Sequence, residues 1–161
     1  MRVHIIIGEN GCGKSYYLSK LYAEEGEWKN SKYISARREN DSITGEFSKG
    51  MIAPIVTFIA LPGSFDSLFI ENLELGLTAQ SISSYLDEIV LMESNRLEDL
   101  YLETTSRVLI YHIGCLIAFG RLAQQLTEIL RIENGKPVKT YTFNDEGCIV
   151  NIDDKFTDIF E

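Results

Sequence analysis

Residues 3–15 read VHIIIGENGCGKS, and the fold of the whole chain turns on how this stretch is taken. Val3 to Ile7 is a β-branched run interrupted only by His4, which predicts a strand covered on both faces, as in a parallel sheet. Gly8-Glu9-Asn10-Gly11-Cys12-Gly13-Lys14-Ser15 comes directly after it with GxxxxGKS spacing. Lys14 to about Glu25 then predicts a helix with Tyr17, Leu18 and Leu21 on one side. In a strand, glycine-rich turn and helix, successive backbone N–H groups wrap a phosphate chain, and the helix N-terminus adds partial positive charge. The spacing hands Lys14 the β- and γ-phosphates and gives Mg²⁺ the Ser15 hydroxyl.

Outward from this loop, the pattern predicts a strand near Lys32 to Ser35, a polar loop from Arg37 to Gly45, and a buried helix from Ser48 to about Ala60 with Pro54 in its first turns. Pro62-Gly63 ends that helix. Leu68 to Ile70 reads as a second buried strand running into acidic residues. Ile82, Tyr85, Leu86, Ile89 and Val90 recur at helical spacing from Ala79 onward, and Leu97, Leu100 and Tyr101 extend the pattern into a further helical piece. Val108 to Tyr111 reads as the third core strand. Leu116 to Leu130 predicts a long amphipathic helix closed by the Asn134-Gly135-Lys136-Pro137 turn. Val138 to Phe143 and Cys148 to Ile152 flank Asn144 to Gly147 as a β-hairpin. No internal repeat is evident. Apolar strands alternating with helices predict one α/β domain over residues 1–161, a three-layer αβα sandwich with a mainly parallel sheet and a C-terminal hairpin.

Composition excludes several classes. The 161 residues hold 15 Lys and Arg against 24 Asp and Glu, a net charge of −9. Such a surface opposes unaided binding to nucleic acid or an anionic membrane. Arg37-Arg38, the one basic cluster, is followed by Glu39 and Asp41 and reads as a solvated turn. Three widely spaced cysteines, Cys12, Cys115 and Cys148, indicate neither a disulfide framework nor a zinc site, and a reduced cytoplasmic setting is expected. The apolar runs Met51 to Leu61 and Val108 to Phe119 are too short for a bilayer span.

Asn10-Gly11 within the loop resembles the ABC-like branch of phosphate-loop ATPases, which includes SMC-like and DNA-repair proteins. SFDSLFIENLELGLTAQ, residues 64–80, is similar to the Walker B and D-loop stretch of stand-alone bacterial members that read IENPE. On that resemblance Glu71 takes the Mg²⁺-linked acidic position, Asn72 the catalytic-base position and Leu73 the proline position, while Glu74 and Gln80 match directly. RVLIYHIGCLIAFGRLA resembles the family's strand, switch histidine and helix, with His112 as γ-phosphate sensor and Arg121 nine residues on. Gly45 to Met51 stands where a shortened signature motif belongs, so that Ser48 and Gly50 would contact nucleotide across a dimer. The resemblance implies ATP and Mg²⁺ as ligands, the loop residues Gly8 to Ser15 with Tyr16 as the nucleotide site, and a nucleotide-dependent homodimer or association with a larger effector protein. The chain departs from the family in lacking an upstream aromatic for adenine and a glutamine after the second strand.

Chemically, Asn72 orients water but cannot accept its proton, and losing a positioned base removes about 10² to 10⁴ in rate. A slow ATPase or nucleotide switch is therefore the leading expectation, with Lys14, Glu71, Asn72, Glu74 and His112 as the catalytic set. Two alternatives stand beside it: a small metabolite or nucleoside kinase, for which Arg37 and Arg38 are the only lid residues, and an ATP-holding regulator without turnover.

Overall fold

The computed structural model describes residues 1–26, 30–35, 66–74, 78–93 and 97–160. Strand β1 (Arg2–Ile7) leads through the glycine loop into helix α1 (Lys14–Gly26), then β2 (Ser31–Ser35), β3 (Ser67–Glu71), α2 (Ala79–Glu93), β4 (Asp99–Glu103), α3 (Arg107–Ala118), a 3₁₀ turn (Gln124–Leu126), the strands β5 (Thr127–Glu133), β6 (Lys136–Phe143) and β7 (Ile149–Val150), and a short α4 (Asp154–Asp158). Among the described residues the strands form one seven-stranded sheet in the order β2-β3-β4-β1-β5-β6-β7. β2 to β5 and β1 run parallel, while β6 and β7 close the edge antiparallel.

Alternation along the parallel strands divides the core. Ile6, Phe69, Tyr101 and Ile132 face α1 and pack with Leu18. Val3, Ile5, Ile7, Leu68, Ile70, Leu100 and Leu102 face α2, α3 and α4, whose Ile82, Leu86, Ile113 and Phe156 complete the larger cluster. Helices on both faces of a mostly parallel sheet are the three-layer α/β arrangement the alternating pattern predicts. Burying each such aliphatic side chain contributes about 1.5–3 kcal/mol. One row on the α1 face is a cross-strand aromatic ladder. Phe69 stacks on Tyr101 at 4.4 Å and Tyr101 on His4 at 4.5 Å, each pair in register across neighbouring strands.

The middle of the chain departs from expectation in three places. Residues 99–103 form a strand, not a helical piece, and this strand lies between β1 and β3. Residues 108–111 belong to α3 rather than to a strand, because Leu109, Ile110, Ile113, Leu116 and Ile117 sit three and four apart and bury one helical face. The helix expected over 116–130 stops at Phe119. Gly120 adopts φ 70°, its N–H bonds the Ile117 carbonyl, and the Arg121 N–H bonds the Leu116 carbonyl, the hydrogen-bond pair of a glycine-terminated helix. Thr127–Glu133 then becomes β5, so Asn134-Gly135 is the two-residue turn of a β5–β6 hairpin. Both turn residues have positive φ, 51° and 71°, as a type I′ turn requires.

β1, α1, β2, β3 and α2 match the elements read from sequence, as does the β6–β7 hairpin. The expected loop at 37–45, the helix at 48–60, the Pro62-Gly63 stop, and with them Arg37, Arg38, Ser48 and Gly50, lie outside the described residues. Among the described residues no helix is long and apolar enough to cross a membrane. The three thiols are unpaired.

Candidate functional site

The carboxyl ends of the parallel strands converge on the loop after β1, where ligands of open α/β sheets bind. Gly11 and Gly13 turn the loop with φ 81° and 92°. A methyl on Gly11 would meet nothing within 4 Å, so that glycine serves conformation alone. A methyl on Gly13 would lie 2.9 Å from the Gly135 backbone, so that glycine also admits the β5–β6 turn. The Gly135 N–H donates to the Cys12 carbonyl at 2.8 Å and locks the turn to the loop. The exposed Tyr16 lays its ring beside Gly135.

Lys14 is buried, and its ammonium donates to the Gly8 and Glu9 carbonyls at 2.8 and 2.9 Å. The cation is thereby folded into the concave side of its own loop. Ser15, at the start of α1, donates its hydroxyl to Glu103, 3.0 Å from each carboxylate oxygen. Glu103 ends β4 and is fully buried. The sequence pattern gives that residue no role and assigns the acid of the loop to Glu71.

Glu71 does end β3 as expected, and it pairs in register with Glu103 on the α1 face, one strand farther from the loop. The Tyr33 hydroxyl donates to it at 3.0 Å. Two buried carboxylates and a hydroxyl, all oxygen donors on one side of the loop, are the set a hard divalent cation takes. Among the described residues no group of three His, Cys, Asp or Glu side chains gathers to hold a metal alone. Mg²⁺ needs no such group, since it keeps most of its waters and takes one or two carboxylates plus phosphate oxygens.

The strand-end loops are tied together behind these acids. Asn72 has φ 50°, a conformation asparagine tolerates, and its N–H bonds the Glu103 carbonyl. Glu74 accepts from the Thr105 N–H at 2.6 Å and from its hydroxyl at 3.2 Å. The other Glu74 oxygen is buried with no partner among the described residues. Glu71, Asn72 and Glu74 thus lie at the same carboxyl edge of the sheet as the loop that carries Lys14 and Ser15.

His112 does not share that edge. It stands inside α3, not after a strand, and its Nε2 lies 2.8 Å from Asp87 of α2. It ties two helices together, and the place expected for it, directly after a core strand, belongs to Thr104 and Thr105. A signal for the missed β4 and its Glu103 is present in the sequence: LFIE at 68–71 and LYLE at 100–103 share one pattern and align residue for residue in the sheet.

The chain matches none of the known protein-family models and none of the curated proteins.

Proposed function

We propose that the chain binds a magnesium nucleoside triphosphate, ATP by its resemblance, on residues 8–15 and acts as a slow hydrolase or nucleotide-controlled switch. The observation that carries this reading is the pairing of a buried, loop-held Lys14 with a Ser15 hydroxyl gripped by both oxygens of Glu103. Lys14 would exchange two carbonyl acceptors for phosphate oxygens, a stronger charge-assisted bond. Ser15 would hold the cation directly and Glu103 or Glu71 through its waters. Bound Mg²⁺ supplies neutralisation of charge on the transferring phosphoryl group. Asn72 can orient a water, and Glu74, two residues on, has a second carboxylate oxygen with no partner among the described residues.

The ABC-like assignment is narrower than this and rests on the loop and on Glu71 to Glu74. A nucleotide-bridged homodimer would need Ser48 and Gly50, and a reduced cytoplasm is the compartment that three free thiols suit. Calorimetric titration with Mg·ATP and Mg·GTP, with phosphate release in parallel, tests the reading. Wild type should bind, and Lys14→Ala should not. Absence of heat at millimolar nucleotide, or equal heat from both proteins, overturns it.

A further inference from the structure

The geometry points to a nucleoside subsite on the β5 side of the loop, in a cleft of about 410 Å³ walled by Gly8 to Cys12, Arg131, Glu133, Asn134, Lys155 and Ile159. This inference rests on the reading that residues 8–15 hold a triphosphate.

β1 has two neighbours, and they differ in chemistry. β4 brings Glu103, with Glu71 beyond it, to Ser15. The metal-bearing end of a triphosphate is therefore directed to that side. β5 lies opposite, with Arg131 in register with Ile7, the last residue before the loop. A nucleotide whose outer phosphates meet Ser15 and Lys14 runs its ribose and base toward β5. The same loop residues that bound the cradle form one wall of the cleft, so the two sites are continuous. Its volume falls in the ordinary range for small-molecule clefts.

The lining is polar and carries both signs, Glu9 and Glu133 beside Arg131 and Lys155, and Glu133 is paired with Arg131 at 3.2 Å and with Lys155 at 3.5 Å. Ribose hydroxyls and base edges are neutral donors and acceptors that suit Glu133, Asn134 and Lys155. No aromatic side chain among the described residues lines the cleft, so recognition there is by hydrogen bonding rather than stacking.

Arg131 supplies the independent observation. It is more than nine-tenths buried and held by the Tyr141 hydroxyl at 3.0 Å, by Asp153 at 3.3 Å and by Glu133 at 3.2 Å. Its Nε is buried with no partner among the described residues. An unsatisfied buried donor is costly, and Arg131 also lines the cleft, so a guanidinium already fixed by its partners stands in the wall where a polar ligand would lie.

Amide chemical-shift mapping of the full chain with Mg·tripolyphosphate and then Mg·ATP tests this. Both ligands should move the amides of Gly11 to Ser15, and Mg·ATP alone should move Glu133, Asn134, Lys155 and Ile159. Ile159→Trp, which fills the cleft, should weaken Mg·ATP by about tenfold or more and leave tripolyphosphate unchanged. If both ligands move the loop but neither moves the cleft, the subsite is wrong and the phosphate reading stands. If neither moves the loop, both fall. Should the tryptophan variant not fold, the shift comparison on wild type decides alone.

Discussion

Glu103→Gln separates a carboxylate that serves magnesium from one that merely fills the sheet. Glutamine keeps the volume and one acceptor for the Ser15 hydroxyl but removes the charge. Ser15 lies 3.0 Å from both oxygens of a residue with 0% exposure, so no solvent can substitute for the lost charge. Hydrogen bonds to an ionised partner contribute about 1.5–3 kcal/mol each. At tenfold per 1.4 kcal/mol, losing one in the metal-bound state raises the Kd for Mg·ATP about 10- to 150-fold. Titration in EDTA should show no such change, because the carboxylate acts only through the cation and the serine that holds it. Glu71→Gln, one strand away and bonded by Tyr33, should leave Mg·ATP affinity within about threefold. Calorimetry of both variants with Mg²⁺ and with EDTA provides the comparison. Equal weakening with and without metal, or a larger loss for Glu71→Gln, refutes the placement of Glu103 at the metal.

Gly13→Ala combines a positive φ with a clash against Gly135 and should cost about 2–4 kcal/mol, against about 1–2 for Gly11→Ala, which meets only the conformational penalty. Thermal unfolding should show Tm lower by about 4–16 °C for the first and about 2–8 °C for the second. Asn72→Asp keeps a residue that accepts φ 50° and adds a proton acceptor, so phosphate release should rise at least about tenfold; an unchanged rate assigns the base role elsewhere, to Glu74 first. Asp153 is held well below the usual carboxylate range, first by its bond from Lys139 and then by the Tyr141 hydroxyl and the Phe156 N–H. Its folded pKa is depressed, so the stability it contributes is present above about pH 4 and is lost as pH falls below that. Burial, and then the bond to Asp153, push Tyr141 up to about 12, so the same cluster loses stability as pH rises from about 10 toward 12. Urea midpoints measured across both limbs should flatten in Asp153→Asn.

The front half of the chain was legible because its signals are local. A β-branched run, a spaced set of glycines and an i, i+3, i+4 apolar stripe each name an element without reference to anything distant. The loop and the strand ending at Glu71 were readable for that reason, while the positions given to Asn72 and Glu74 rested on a family resemblance. Elsewhere local patterns competed. VLIY at 108–111 carries β-branched residues that suit a strand, yet the wider spacing of Leu109, Ile113, Leu116 and Ile117 is helical and buries more apolar surface. Gly120 and the Asn134-Gly135 pair each marked a boundary that a helix drawn from 116 to 130 runs through or ends against. A glycine past a helical stripe stops it, and Asn-Gly between apolar runs signals a hairpin.

Glu103 was hidden by burial itself. Asp99 and Glu103 flank Leu-Tyr-Leu, and two acids around three apolar residues suggest an amphipathic turn, because charged residues are almost never fully buried without a partner. Both acids are buried here: Arg2 closes on Asp99 at the amino end of the sheet, and Ser15 closes on Glu103 at the carboxyl end. Those partners are 97 and 88 residues away, so no window on the sequence contains them. The insertion of β4 between β1 and β3 rearranges the acids around the loop. It moves Glu71 one strand from the loop, brings a second carboxylate level with it, and leaves the place beside Lys14 and Ser15 to a residue that only the sheet order identifies. The place directly after β4, where a histidine is expected, is taken by Thr104 and Thr105, and Thr105 is the group that Glu74 holds.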